Sequence, residues 1–316
     1  MILSSARLRE EIKDEIKKRF PEEEFRFYNN MKEAKAYLEQ AEILLSYGED
    51  LTDELVAEAK SLRWIMVISA GLDKMPFEAL EKQDVLITNA RGIHKTPMAE
   101  YTISMMLQVS RKASLLLENQ KQHTWDRKVP MTEISGKTLG ILGTGAIGCE
   151  IARLAKAFNM RTIGFNRSGH PAENLDLIVD KEGINKLYEE SDFIVNVLPS
   201  TQQTHQFVGE RAFSLMKESA IFINIGRGTT VNEEELIQAL REKEISHSVL
   251  DVFEKEPLPE ESPLWDMENV TVTPHLSGIS PQYQERAIEI FCDNLTSFRK
   301  DKSEEMVNII PYDRGY

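Results

Sequence analysis

A chain of 316 residues is long enough for two domains that each bury a core, and 52 acidic against 38 basic residues give a formal net charge of -14. That balance excludes general affinity for nucleic acid or an anionic membrane surface, so an anionic substrate would need a local positive pocket. No apolar run approaches the ~18 residues of a membrane span, and MILSSARLREEIK lacks the basic-then-apolar order of a signal peptide. The expectation is a cytoplasmic protein. Its two cysteines, Cys149 and Cys292, lie in no C-x-x-C or His-rich cluster, and packed thiols without a metal are expected.

In chain order, Met1 to Ser4, Phe25 to Tyr28, Glu42 to Tyr47, Arg63 to Ile68 and Val85 to Asn89 read as strands separated by helices. Ala6 to Phe20 is the clearest helix, with Leu8, Ile12, Ile16 and Phe20 at four-residue steps under a charged face. Alternating strands and helices imply a parallel sheet covered on both sides. The strand in WIMVISAGLD ends in Ser69, Ala70 and Gly71, where backbone N–H groups could hold a carboxylate or where a turn simply requires small residues. Thr96 and Pro97 have the character of an N-cap and first helical position, opening a helix through Leu117. It is apolar nearly all round (Met98, Tyr101, Ile103, Met105, Met106, Leu107, Val109), which predicts burial on several sides, a link between domains and a contribution to a subunit interface. Glu118 to Ser135, with Trp125 and Pro130, reads as a surface connection.

Thr138 to Gly148, TLGILGTGAIG, is a strand turning into a helix through G-x-G-x-x-G. Gly143 suits a tight turn, Gly145 a close approach of backbone to pyrophosphate, and Gly148 close packing of helix on strand. A helix over Ala146 to Met160, with Ile147, Ile151, Leu154, Ala155 and Phe158 on one face, leads to a strand from Arg161 to Asn166. That βαβ context favours a dinucleotide site over a turn whose glycines serve packing alone. Asp192 to Pro199, Ala220 to Ile225, Ser246 to Phe253 and Asn269 to Thr273 are further strands. Asn232 and Glu235 form a capping-box pattern before NEEELIQALREKE. Ser280 and Pro281 start the last helix, whose stripe of Ala287, Ile288, Phe291, Leu295 and Phe298 suits a return to the first domain.

Arg227, Glu256 and His275 each follow one of these strands. Singly, such residues are most often a solvated turn arginine, a surface charge and a satisfied polar side chain. Parallel strands deliver their carboxyl ends to one edge, and together the three offer a fork for a carboxylate and carbonyl, a proton exchanger near neutrality, and a carboxylate that stabilises the imidazolium.

The order SAGLD, GTGAIG, NVLPSTQQTHQFV, NIGRGTTVNEEELIQAL, LDVFEKEPLP, PLW and TPHLSG resembles the D-isomer-specific 2-hydroxyacid dehydrogenase family over nearly the whole chain. The resemblance implies an α/β fold of two Rossmann-like or flavodoxin-like domains with parallel sheets, the cofactor domain (97–280) inserted in a substrate domain made of 1–96 and 281–316. It implies that Arg227 binds the substrate carboxylate and keto oxygen, that His275 is the acid/base, and that Glu256 orients it and keeps it protonated during reduction. Backbone at Ala70 and Gly71 would join Arg227 and His275 on the substrate. The implied cofactor set is Gly143, Thr144, Gly145, Ala146, Ile147, Gly148, Asn166, Arg167, Ser168, Leu198 and Pro199 beside the adenine, Thr204, Ile225, and Asp251 by the nicotinamide carboxamide. Family members are usually dimers through the cofactor domain. Where NAD-preferring members carry Asp or Glu, this chain has Asn166, followed by Arg167 and Ser168, which can accept a 2′-phosphate. NADP(H) is therefore expected, the alternative being that Arg167 is a surface turn residue and NAD(H) is used as well. The implied activity is reduction of glyoxylate, hydroxypyruvate or a similar 2-ketoacid, with hydride from the nicotinamide and a proton from His275. A non-enzymatic, corepressor-like dinucleotide sensor and an NAD-dependent enzyme like phosphoglycerate dehydrogenase are the alternatives. Tyr47, Met98 and Trp265 are candidates to line the pocket.

Overall fold

The structure is a computed structural model that describes residues 1–69, 72 and 74–312; the expected substrate contacts Ala70 and Gly71 lie outside the described residues. The chain divides into two compact units, Met1–His94 with Ser280–Tyr316, and Lys95–Ile279.

The first unit is an all-parallel sheet of β1 (Ile2–Ser4), β2 (Phe25–Phe27), β3 (Ile43–Ser46), β4 (Trp64–Val67) and β5 (Leu86–Asn89) in the order β2-β1-β3-β4-β5. Alternate residues supply two cores, as the period of a strand requires. Trp64 and Met66 face α1 (Glu10–Arg19) and the last helix, Tyr283–Arg299, while Ile65 and Val67 face Leu38, Val56 and Leu80. The Trp64 ring stacks on Phe291 at 5.4 Å between centroids, so the chain's two ends share one core. α1 begins at Glu10 instead of Ala6 because the preceding backbone is engaged elsewhere: Ser5 N–H donates to Leu45 and Arg9 N–H to the Gln284 side chain. The last helix likewise starts at Tyr283, because Ser280 and Gln282 bond each other in a turn, yet its whole expected stripe is buried.

The second unit holds β6 (Thr138–Leu142), β7 (Arg161–Phe165), β8 (Leu177–Val179), β9 (Phe193–Asn196), β10 (Ile221–Asn224), β11 (His247–Leu250) and β12 (Val270–Val272). The order β12-β11-β10-β9-β6-β7-β8 is parallel throughout and reverses between β6 and β9, where doubly wound sheets bind ligands. β8 is a strand that the sequence pattern does not reveal, three apolar residues between polar stretches being too short for a period.

The helix expected over 96–117 is two, α2 (Lys95–Ser110) and α3 (Ala113–Lys121), broken where Lys112 takes a left-handed φ of 55°. Thr96 and Pro97 lie inside α2, not at its cap. Met98, Ile103 and Met106 are buried as expected, Tyr101, Met105, Leu107 and Val109 are half-buried, and Leu115, Leu116 and Leu117 are exposed. α4 (Ala146–Ala157) stops short of Met160, which leaves Phe158 outside its buried face at 37% exposure. α5 (Glu233–Glu242) is capped in one direction only: Asn232 accepts Glu235 N–H, but the Glu235 carboxylate accepts Glu210 N–H at 2.6 Å instead of returning to Asn232. Both cysteines are free thiols, and burial pushes Cys292 up to about 12. Among the described residues no helix is long and apolar enough to cross a membrane.

Candidate active site

The strand ends of the second unit carry the site. After β6, Gly143 has φ 103° and its N–H bonds Phe165 of β7, turning the chain toward α4. A Cβ on Gly148 would lie 2.1 Å from the Gly143 carbonyl oxygen, so only glycine lets this helix approach its strand. Gly145 is the N-cap of α4 with no capping side chain, Gly145 and Ala146 are exposed, and a Cβ on Gly145 would meet nothing within 4 Å. An uncapped helix start beneath open space fits the pyrophosphate of a dinucleotide.

Asn166 Nδ2 donates to Thr144 Oγ1 and to the His170 carbonyl, both at 2.9 Å, and its Oδ1 accepts the Ser168 hydroxyl. The amide thus ties the loop after β7 to the glycine turn, two donations that an aspartate could not make. Arg167 and Ser168 are exposed beside it. Leu198 and Ile225 are buried, while Pro199 is exposed and Ile147 half-buried. Thr204 Oγ1 donates to the Pro199 carbonyl at 2.6 Å and closes the turn that carries it.

Arg227 sits on a loop held by two buried amides at adjacent strand ends. Asn196 Nδ2 donates to Asn224 Oδ1 and to Thr230 Oγ1, while Asn224 Nδ2 and the Thr230 hydroxyl both donate to the Arg227 carbonyl. Sequence reasoning misses Asn196 and Asn224, whose signal is an amide closing each of two apolar strands. Beyond the arginine, a Cβ on Gly228 would fall 1.8 Å from the Phe253 carbonyl carbon, so the Arg227 and Glu256 loops touch backbone to backbone.

His275 Nδ1 lies 2.8 Å from Glu256 Oε2, and Glu256 Oε1 accepts Phe253 N–H at 3.1 Å. The same loop is steadied by Glu233 of α5, another residue the sequence does not single out. Its Oε2 accepts Glu254 N–H, and burial holds its carboxyl above the ordinary range. His275 has a left-handed φ of 51°, uncommon for a residue with a side chain. Asp251 underlies it. Its carboxylate is fully buried and accepts the Thr273 hydroxyl and the N–H groups of Leu276 and Ser277.

A cavity of about 390 Å³ opens beside Glu256 and His275, walled by Phe253, Leu258, Trp265 and Val272. Of the three candidate lining residues, Trp265 is in this wall, Met98 is a core residue, and Tyr47 packs in the first unit with its hydroxyl on the Arg7 carbonyl. Among the described residues no cluster of His, Cys, Asp and Glu could hold a metal ion. The arrangement brings the His275 imidazole and the Glu256 carboxylate to the sheet edge that bears the glycine turn.

Residues 103–277 match the family profile described as D-isomer specific 2-hydroxyacid dehydrogenase, NAD binding domain. Over 260 residues the chain is 35% identical to glyoxylate/hydroxypyruvate reductase B of Escherichia fergusonii, spanning 81% of this chain and 80% of the relative. It is 32% identical over 273 residues to the D-3-phosphoglycerate dehydrogenase of Methanocaldococcus jannaschii, spanning 84% of this chain but about half, 51%, of that longer relative. A crystal structure of a D-isomer specific 2-hydroxyacid dehydrogenase family protein from Aeromonas salmonicida aligns with TM-score 0.88 and 34% identity, covering 99% of each chain. The protein belongs to the D-isomer-specific 2-hydroxyacid dehydrogenase family and is an NAD(P)-dependent oxidoreductase.

Proposed function

We propose that the protein reduces a small 2-ketoacid of the glyoxylate or hydroxypyruvate kind to the D-2-hydroxyacid, preferring NADP(H) to NAD(H), as a homodimer in the cytoplasm. The observation that carries this reading is the His275–Glu256 pair at 2.8 Å on the strand-end edge that also bears Arg227 and the glycine turn. A dinucleotide held at that turn would supply the hydride. Charge then grows on the substrate's carbonyl oxygen, and His275 delivers the proton that neutralises it, while Glu256 fixes the ring. Arg227 offers a planar pair of N–H donors to the carboxylate and carbonyl. The cofactor preference rests on Arg167 and Ser168 standing exposed next to an amide, where a carboxylate would repel a 2′-phosphate. The dimer rests on Leu115, Leu116, Leu117 and Trp125, whose apolar surface is exposed on α3 and the segment after it. Sedimentation should return twice the chain mass, and a concentration-independent monomer would refute the dimer.

The activity is tested by the loss of 340 nm absorbance with NADPH and with NADH against glyoxylate, hydroxypyruvate, pyruvate and 3-phosphohydroxypyruvate. Turnover of the first two with a higher kcat/KM for NADPH is expected. A preference for NADH with the phosphorylated acid would select the phosphoglycerate dehydrogenase reading, and binding of NADPH without turnover of any acid the sensor.

A further inference from the structure

The turn from Thr273 to Ser277, which presents His275, is held almost entirely by one residue. Thr273 Oγ1 donates to Asp251 Oδ1 at 2.6 Å, Leu276 N–H to the same oxygen at 2.9 Å, Ser277 N–H to Oδ2 at 2.9 Å, and His275 N–H to the Asp251 carbonyl at 2.8 Å. One more group reaches this cluster from outside the strand ends: the hydroxyl of Tyr101, on α2, lies 2.6 Å from Thr273 Oγ1. We infer that Tyr101 is a positioning residue for His275, its hydroxyl fixing Thr273 against Asp251 and thereby the aim of the imidazole. The inference rests on the ketoacid-reductase reading of the site.

Counting protons sets the direction of the chain. The Asp251 carboxylate only accepts, so the single Thr273 hydroxyl proton points at it, and in the Tyr101–Thr273 pair the phenol is the donor. Tyr101 must therefore stay protonated, and burial, which pushes its phenol up to about 12, keeps it so. Donors in series polarise one another, so the Tyr101 proton strengthens the Thr273–Asp251 bond beyond a simple pair. That strength matters because His275 is held at φ 51°, a conformation that persists only when its surroundings overdetermine it. Nδ1 must at the same time stay within reach of Glu256 Oε2.

Tyr101→Phe removes the hydroxyl and leaves the ring in the core. The expected result is a loss of kcat of about ten- to a hundred-fold, the scale of a small misplacement of a reacting group, with KM for NADPH nearly unchanged. The solvent deuterium isotope effect on kcat should rise, because proton delivery becomes the slower step. Thr273→Ser, which keeps the hydroxyl, should resemble the parent. Thr273→Val should reproduce Tyr101→Phe, and the double variant should be no slower than either. In ¹⁵N-labelled protein the Nδ1–H resonance of His275 should move upfield in Tyr101→Phe as its bond to Glu256 loosens. Parental kcat in Tyr101→Phe would overturn the inference. So would a fall in kcat that tracks a fall in thermal midpoint, with isotope effect and resonance unmoved. If the parent turns over no 2-ketoacid, the reductase reading fails by itself, and the His275 resonance alone decides whether Tyr101 holds the turn.

Discussion

Glu256 uses its two oxygens on different partners, Phe253 N–H and the His275 ring, so its negative charge is fixed 2.8 Å from the imidazole. In the proposed reduction that carboxylate sets the aim of the ring that hands its proton to the carbonyl oxygen. Glu256→Gln keeps the shape and replaces the carboxylate by an amide, so kcat for reduction should fall by about ten- to a hundred-fold while NADPH still binds. Parental kcat would remove Glu256 as the partner. Arg227 makes a second test. Lys can supply charge but not two parallel N–H groups, so Arg227→Lys should lose about 10²-fold or more in kcat/KM for the ketoacid while NADPH still binds. Near-parental kinetics would take Arg227 out of the site. These three residues were legible because parallel strands deliver their ends to one edge, and the motif order told them apart from other charges. Asn196, Asn224 and Glu233 were not: Asn196 bonds the side chains of Asn224 and Thr230, Asn224 the Arg227 carbonyl and Glu233 the Glu254 N–H, and such bonds leave no spacing in the sequence.

At the scale of elements, the loops after β10 and β11 are locked together by the absence of a side chain. A Cβ at position 228 would lie 1.8 Å from one Phe253 backbone atom and 1.9 Å from another, and backbone cannot rotate away as a side chain could. Gly228→Ala should therefore cost about 3 kcal/mol or more, seen as a lower urea midpoint, and should lower kcat by pushing the Arg227 and Glu256 loops apart. Parental stability and rate would show that the loops have slack. This contact was invisible beforehand, since a glycine after a strand reads as an ordinary turn. Periodicity was more informative where elements were long: the stripe of the last helix and the glycine turn into α4 could both be read directly. It failed at ends and breaks. Apolar residues run on through Arg111 and Lys112, yet the left-handed backbone at Lys112 ends one helix, and the leucines that follow face outward.

For the molecule as a whole, acid stability has one contributor that can be isolated. His247 opens β11 with Nε2 at 2.9 Å from Thr271 Oγ1, and burial, with some repulsion from Lys112, lowers it from the usual 6.5 to about 4. A histidine kept neutral in the folded chain takes up a proton more readily when unfolded. Stability is therefore highest above pH 6.5 and falls as pH drops toward 4, by on the order of 3 kcal/mol once the window is crossed. Carboxylates held low by cationic partners, such as Asp176 with Lys156 and Glu150 with Arg153, add losses of the same sign at lower pH. Glu233 works the other way, because a carboxyl raised by burial binds its proton more tightly when folded. Comparing two chains that share all these groups cancels them. His247→Gln keeps a side chain able to reach Thr271 and removes the titration, so the difference in unfolding free energy between variant and parent should shift in the variant's favour from pH 7 to pH 4. Urea midpoints at half-unit pH intervals measure it. A difference that stays constant across that window would mean that His247 titrates alike in the folded and unfolded chain.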